Sequence, residues 1–575
     1  MRIVRLNMSN LTLTREDVPE KYRLLGGRAL TSQMVADEVD PNCNPIGPFN
    51  KLVFAPGLLS GTSAPSSGRL SVGGKSPLTG GIKESNAGGI SAQRFANAGV
   101  KALVVEGEPA DKNKFYVLKI DQNGEFLEEA GDLVGKGTYE VVEILRAKHG
   151  EKTAIISVGP AGEMKLTNAG ISTCDVEGNS SRYAGRGGLG AVMGAKGLKA
   201  IVIDSPSYFN APVANVEKFR ESAKKFAKIL QEHPVSGQGL PSFGTDVLMN
   251  VLNEAGALPT RNFARGRFEF ANNVGGETLA EVATKRGGQA THGCHPGCVM
   301  RCSNVYPMPD GKVCSPIEYE SAWSLGPHCE IKDLDIVAKL NYICNDVGLD
   351  TIEAGGALGV AMEAGIIPWG DGDKAVELLE EVGKGTPLGR IIGNGAAFTG
   401  KAFGVAKVAV VKGQHLPAYD PRGAKGIGVT YATTTQGADH TAGYSITANI
   451  LAVGGTVDPL KAEGQVELSR NLQIATALVD SVGLCLFVAF ALLDNPDGLP
   501  TMIDMVNQQY DTALDINAAL EVGKQVLRVE RAFNEKAGFT KAHDRLPEFF
   551  KTEKLDPHGT VFDVSDEELD TVFNF

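Results

Sequence analysis

Positive charge is what this sequence has in short supply. Its 56 Lys and Arg are outnumbered by 68 Asp and Glu, for a formal net charge of -12. Nucleic-acid affinity rests on Lys and Arg clustered against phosphates, so a phosphate-backbone binder is excluded. Long apolar runs are missing too. The longest uninterrupted one, Leu484 to Leu493, is ten residues, about half of the roughly 20 that a helix needs to cross a bilayer, and no membrane span is expected. The opening MRIVRLNMSNLTLT alternates like a strand and lacks the basic-then-apolar pattern of an export signal, so a cytoplasmic location is expected. Nine cysteines, an odd number, in a chain without that signal point to metal ligation rather than a disulfide framework. No solenoid repeat is present.

What is there is an ordinary globular composition. The 575 residues are 42% hydrophobic and 22% charged, enough for roughly two to four packed units. Up to about residue 205 the chain is a series of short alternating or apolar segments, IVRLNM, KLVFAP, GRLSVGG, ALVVEGE, KFYVLKI, TAIISVG and KAIVID, separated by Gly and Pro. Period-two segments between turn residues read as strands. From Asn215 the texture changes, and VEKFRESAKKFAKILQEH repeats its apolar positions at helical spacing. Helical patterns then dominate, broken by the Pro- and Gly-rich KGQHLPAYDPRGAKGIGV. The expected fold is α+β: a sheet-rich unit over 1–210 and two mainly helical units over 211–412 and 413–575.

Two features carry chemistry. The first is THGCHPGCVMRCSN, in which Cys294, Cys298 and Cys302 are spaced C-x3-C-x3-C. Three thiolates this close bind one compact centre, and iron-sulfur clusters take such a set with a fourth Cys from elsewhere. Zinc is the rival, because Cys3His sites exist and His292 and His295 lie beside the thiols. A cluster alone passes single electrons, so something else must hold the reacting group. The second feature is a pair of Gly loops bearing arginines, Ser67 to Gly89 with Arg69, and Arg182 to Gly190 with Arg186. Neither has Walker spacing nor the setting of a dinucleotide fingerprint. Singly, each is more often a tight turn, but two in one sheet-rich unit favour an anionic cofactor held by backbone N–H and guanidinium groups. There is also an internal echo: NDVGLD (Asn345 to Asp350) and DSVGLC (Asp480 to Cys485) each follow an apolar helical run. Read plainly, both are helix-ending glycines; the other reading is two related ligands or a duplicated fold element.

Taken together, SGRLSVGGKSPLTGGIKESNAGG, RYAGRGGLGAVMGAKGLKA, the Cys294 to Cys302 cluster, EYESAWSLG, NDVGLD, DSVGLC and GADHTAG resemble the tungsten-containing aldehyde:ferredoxin oxidoreductase family along nearly the whole chain. The resemblance implies a sheet-rich domain holding tungsten, or molybdenum, through two pterins, with helical domains capping them. It places Arg69, Asn86, Gly88, Arg182, Tyr183, Gly185 and Arg186 in motifs that bind the pterin phosphates and their bridging Mg2+, with Asn86 at the Mg2+. It places Asn345, Asp350, Asp480 and Leu484 in the loops that hold the pterin rings, and it supplies Cys485 as the fourth ligand of a 4Fe-4S cluster.

Aldehyde oxidation needs a base for water, a proton donor at the carbonyl oxygen and a two-electron acceptor. Glu320, in EYES, and His440, in GADH, are the acid-base pair that the resemblance implies, with Glu318 as an alternative to Glu320. Electrons would leave through the cluster to ferredoxin or to an iron-sulfur and flavin partner subunit. The chain departs from the family pattern in the C-x3-C spacing, where C-x2-C is usual, and in Asn345, where Asp is usual. No Glu and His pair for a mononuclear iron between subunits is evident, and that site is expected to be absent. The competing readings are a related metal-pterin reductase, such as the catalytic subunit of a benzoyl-CoA reductase, and an electron-relay or assembly subunit.

Overall fold

A computed structural model describes residues 1–205 and 209–575; residues 206–208, at the end of the expected sheet-rich unit, lie outside the described part. The first strands are β1 (Arg2–Asn7), β2 (Thr12–Asp17), β3 (Leu52–Pro56), β4 (Leu70–Lys75), β5 (Ile82–Ala87) and β6 (Val100–Glu106). Then come β7 (Tyr116–Asp121), β8 (Gly124–Glu129), β9 (Ala154–Ser157), β10 (Ile171–Cys174), β11 (Ser180–Ala184) and β12 (Leu198–Ile203). Every alternating segment named above falls on a strand. Apolar runs such as LVFAP and LKAIVI are buried along their whole length, the expected state of a strand covered on both faces. The polar β2 is exposed at a sheet edge.

The twelve strands form two six-stranded sheets, ordered β2-β1-β6-β3-β4-β5 and β8-β7-β12-β9-β10-β11. The second order is the first with six added to each number. The pairing senses match as well: β1 runs parallel to β6 and antiparallel to β2, and β7 runs parallel to β12 and antiparallel to β8. Each half inserts a long helix after its first hairpin, Gly27–Glu38 in one and Thr138–His149 in the other. The sequence-adjacent halves share one core, in which Phe54, Val72 and Val105 pack with Ile156, Val192 and Ile201.

Beyond residue 209 the structure is mainly helical. The helix Val216–Glu232 buries Phe219, Ala223, Phe226, Ile229 and Leu230, the i, i+3, i+4 stripe of an amphipathic helix. The helices Leu334–Val347 and Gln465–Val482 each end on a left-handed glycine, Gly348 (φ 86°) and Gly483 (φ 87°), where a side chain would be strained. Both glycines dock on a sheet half at equivalent places. Gly57 follows β3, and a Cβ there would stand 2.1 Å from Gly483 Cα; Gly159 lies just past β9, and a Cβ there would stand 2.3 Å from Val347 O. The amide of Arg69, before β4, donates to Gly483 O at 3.3 Å, and that of Gly170, before β10, donates to Gly348 O at 3.0 Å. The echo between NDVGLD and DSVGLC is thus a repeated docking element, and both loops are also ordinary glycine stops.

Candidate active site and cofactor cavity

Between the sheet halves and the helices lies a cavity of about 310 Å³. Thirteen of the expected site residues line it: Arg69, Gly88, Arg182, Tyr183 and Gly185 from the sheets; Asn345 and Asp350 from the first loop; Glu320 and His440; and all four cysteines, Cys294, Cys298, Cys302 and Cys485. Asn86, Arg186, Asp480 and Leu484 do not reach it directly. Each has other contacts. Asn86 Oδ1 accepts from Arg69 Nε at 2.5 Å. Arg186 Nε lies 3.2 Å from Asp350 Oδ2, and its other nitrogens donate to Ala438 O and His415 O. Asp480 meets Arg28 at 3.4 Å. The side chain of Leu484 is core, packed with Leu58, Leu59 and Met300; only its backbone belongs to the loop.

The duplication explains how the sheets furnish the wall. Gly88 follows β5 and Gly185 follows β11, the same place in the two halves, and a Cβ on Gly88 would stand 3.0 Å from Arg69 Nη1 and 3.3 Å from Cys294 Sγ. Arg182 Nη2 donates to Ser303 Oγ and Nη1 meets Glu318 at 3.2 Å, while its buried Nε has no partner among the described residues. Tyr183 OH donates to the carbonyl of Asn345. A guanidinium N–H left unpaired beside two glycines is a donor set open to an anion.

Cys294 Sγ, Cys298 Sγ and a ring nitrogen of His295 lie within 4.8 Å of one another, and His295 Nδ1 is 3.1 Å from Cys294 Sγ. Cys485 arrives from the far end of the chain on the loop after Gly483. Ser66, left-handed at φ 58°, joins the pieces: its amide donates to Gly297 O (2.9 Å), its carbonyl accepts from the Cys485 amide (2.9 Å), and its hydroxyl accepts from the Val299 amide (3.3 Å). Within the C-x3-C spacing Gly297 is left-handed, at φ 81°.

Glu320 and His440 face each other. Glu320 opens the helix Tyr319–Leu325, and His440 lies on the loop after the helix Lys425–Thr433. Glu320 Oε1 is 3.3 Å from His440 Nε2, without the alignment of a hydrogen bond, and each side chain is 15% exposed. Glu320 Oε2 accepts from the Ala418 amide at 3.0 Å. Burial pushes the Glu320 carboxyl up to about 8, with the Ala418 N–H and Arg186 pulling only partly back. Burial likewise pushes His440 down to about 4, although Asp439 opposes it. Asp439 is buried too, but Lys83, at 3.2 Å, and Arg186 outweigh that and hold it well below the usual carboxylate range. At neutral pH the pair is therefore a protonated acid beside a neutral imidazole. Glu318, the alternative, is engaged elsewhere: its oxygens meet Arg182 at 3.2 Å and Thr245 Oγ1 at 2.7 Å.

Sequence reasoning missed the aromatic side of the cavity. Tyr319, Tyr419, Tyr444 and Phe487 line it. Tyr419 and Tyr444 share a hydrogen bond at 2.9 Å, and Tyr319 OH donates to Ala418 O at 2.9 Å. Scattered over three loops and helix ends, they have no period to betray them, although Tyr319 stands inside EYES and Tyr419 inside LPAYDPRG.

The family comparison covers nearly the whole chain. Residues 3–205 match the model of the aldehyde ferredoxin oxidoreductase N-terminal domain, and 221–574 that of domains 2 and 3. The chain belongs to the aldehyde ferredoxin oxidoreductase family. It is 36% identical to a tungsten-containing aldehyde ferredoxin oxidoreductase of Pyrococcus furiosus and 37% identical to one of Pyrococcus horikoshii, in each case over 97% of this chain and 92% of the relative. A more distant relative, the WOR-like subunit of an aliphatic sulfonate oxidoreductase of Pyrococcus furiosus, is 26% identical over 78% of this chain and 74% of its own. Among solved structures, the active site complex BamBC of benzoyl coenzyme A reductase superposes with a TM-score of 0.81 at 18% identity, covering 100% of this chain and 93% of that one. That likeness shows the fold. Membership makes the chain an oxidoreductase, and among its described residues no helix is long and apolar enough to cross a membrane.

Proposed function

We propose that the chain oxidises aldehydes to carboxylic acids at a tungsten, or molybdenum, bis-pterin centre. The observation that carries the proposal is the Glu320–His440 pair, 3.3 Å apart, in one cavity with four cysteines and two Gly-Arg walls. When bound, the metal-pterin supplies the two-electron acceptor. Its fit rests on the unpaired Arg182 Nε and on the bare backbone that Gly88 and Gly185 present to the cavity. Arg69, Arg182 and Arg186 would offset the pterin phosphates, with Mg2+ beside Asn86, and the Asn345–Asp350 and Asp480–Leu484 loops would frame the rings. The unit up to residue 210 would carry the cofactor, with the units divided near 412 closing over it.

The chain's own residues set the proton chemistry. Neutral His440 donates an N–H to the aldehyde oxygen. Glu320, once deprotonated, takes the proton of the attacking water on Oε1, the oxygen without a hydrogen bond. The flanking Tyr419 and Tyr444 exclude bulk water from the pair. Cys294, Cys298, Cys302 and Cys485 would hold the 4Fe-4S cluster that passes electrons singly to a ferredoxin or a partner subunit in the cytoplasm. A benzoyl-CoA reductase reading rests on the shared fold alone.

Anaerobically purified protein tests the proposal. Tungsten or molybdenum with about four iron per chain, and aldehyde-dependent viologen reduction without aryl-CoA conversion, are expected. Zinc in place of iron, with no tungsten or molybdenum, would overturn it.

A further inference from the structure

His295 stands between two of the cysteines, in the sequence His295-Pro296-Gly297-Cys298. Pro at the second position and a left-handed Gly at the third are the pattern of a type II turn. Gly297 has φ 81°, and the Cys298 amide closes the turn on His295 O at 3.1 Å. The turn fixes the backbone of His295 beside Cys294, and the ring comes back onto that residue, with Nδ1 3.1 Å from Cys294 Sγ.

Packing holds the ring in place. His295 is 3% exposed, and a Cβ on Gly68 would stand 2.4 Å from its Cγ and 2.5 Å from its Cδ2. The imidazole therefore lies against bare backbone of the Gly loop that carries Arg69, where a side chain would displace it. From the same loop, a Cβ on Gly88 would stand 3.3 Å from Cys294 Sγ, so sulfur and ring are both seated on glycines. Nε2 is buried without a partner among the described residues. The nitrogen at the sulfur is the one that is engaged.

Four thiols lining one cavity are the donor set that a four-iron cluster takes. A cysteine bound to iron has given up its proton, so a hydrogen bond between Cys294 and His295 then runs one way, from Nδ1–H to Sγ. We infer that His295 donates this bond and so holds the reduction potential of the cluster up. Reduction adds one negative charge that the sulfurs share, and a donor aimed at a sulfur favours the more negative state. One electron enters from the metal-pterin side and one leaves to an iron-sulfur protein, with no bond made or broken at His295. The inference rests on the proposed cluster. His295 is a positioning residue, acting through Cys294 and not on substrate.

The test is a redox titration of the anaerobic holoenzyme, followed by EPR of the reduced cluster. In His295→Leu, which has no donor, the ratio of reduced to oxidised cluster at a fixed potential is expected to fall on the order of tenfold, a shift of about 59 mV for one electron, with iron content unchanged. His295→Asn, whose amide nitrogen can take the place of Nδ1, is expected to recover most of the shift. An unshifted potential in His295→Leu would overturn the donor role, and so would His295→Asn shifted as far as His295→Leu. If His295→Leu loses its iron, wild-type protein carrying 15N-labelled histidine decides. A weak nitrogen coupling to the reduced cluster that disappears in His295→Asn supports the donor, and no coupling overturns it. A coupling as large as that of an iron-bound imidazole would make His295 a ligand and overturn it as well. Holoenzyme that shows the expected shift and ignores aldehydes would instead sink the proposed function.

Discussion

The two sheet halves share one topology and one way of docking a glycine-ended helix, yet they hold the first residue of the docked motif differently. In the first half, Arg28, the second residue of the helix Gly27–Glu38, meets Asp480 at 3.4 Å. In the second half, Tyr139, the second residue of the helix Thr138–His149, accepts a hydrogen bond from Asn345 Nδ2 at 3.2 Å. A cation with a carboxylate has been exchanged for a phenol with an amide, both members together. An Asp at position 345 would instead set a carboxylate against Tyr139, buried without a cation. Arg28 is further fixed by Glu530, at 2.9 and 2.8 Å, whereas Tyr139 stacks on Tyr342 with ring centroids 4.5 Å apart. The motif's last residues differ as well, Cys485 against Asp350. A duplicated frame has been kept while its two ends took up different chemistry.

The sharpest break in that comparison is between Cys485 and Asp350. Cys485→Ala is expected to lose the cluster iron and with it aldehyde oxidation. Asp350→Asn, which keeps an oxygen for the cap on Ile352, is expected to keep its iron, as metal analysis and low-temperature EPR would show. Iron loss from both would mean that the halves are not divided in this way.

Next in size is the pair that neither sheet half supplies. Glu320→Gln is expected to lower kcat by about 10² to 10⁴. With the Glu320 carboxyl pushed up to about 8, it is protonated and unable to take a proton below that pH and becomes a base above it. Wild-type kcat/KM should therefore rise from pH 6 towards 9, and the rise should vanish in Glu320→Gln. A flat wild-type profile would remove Glu320 from the role of base.

The docking glycines should behave alike. Gly57→Ala and Gly159→Ala each force a Cβ to within 2.1 and 2.3 Å of the docked loops, and each is expected to cost about 3 kcal/mol, read from thermal or denaturant melts. A large effect in one half alone would deny the equivalence. Smallest is the exchanged pair itself: Asn345→Asp is expected to cost about 1–2 kcal/mol, with part regained on adding Tyr139→Arg. If the double variant is no more stable than Asn345→Asp, the two positions are not coupled.

Much of this is legible in the sequence. Strand and helix patterns survive in one dimension because period and turn residues are local, so the alternating segments and the helix Val216–Glu232 lie where they were expected. The duplication was half visible: NDVGLD and DSVGLC betrayed it, while the strands of the two halves, sharing only alternation, did not. Glu320 and His440, Arg69 and Arg182, and the four cysteines were named through motifs and do converge on one cavity. Arg28 and Tyr139 have no signal in the sequence, because each takes its meaning from a partner that only the folded chain reveals.

Ser66 holds the cysteine site together. One residue near the start of the chain binds the middle of the cysteine loop with its amide and hydroxyl, and the approach to Cys485 with its carbonyl. Biosynthesis delivers those three pieces at widely separated times. Cys485 can meet Ser66 only once the helix Gln465–Val482, which precedes it, has been made. On the proposed ligand set, filling that site would be a late event in the life of each molecule, and a metallocentre assembled there would certify that distant parts of the chain have met.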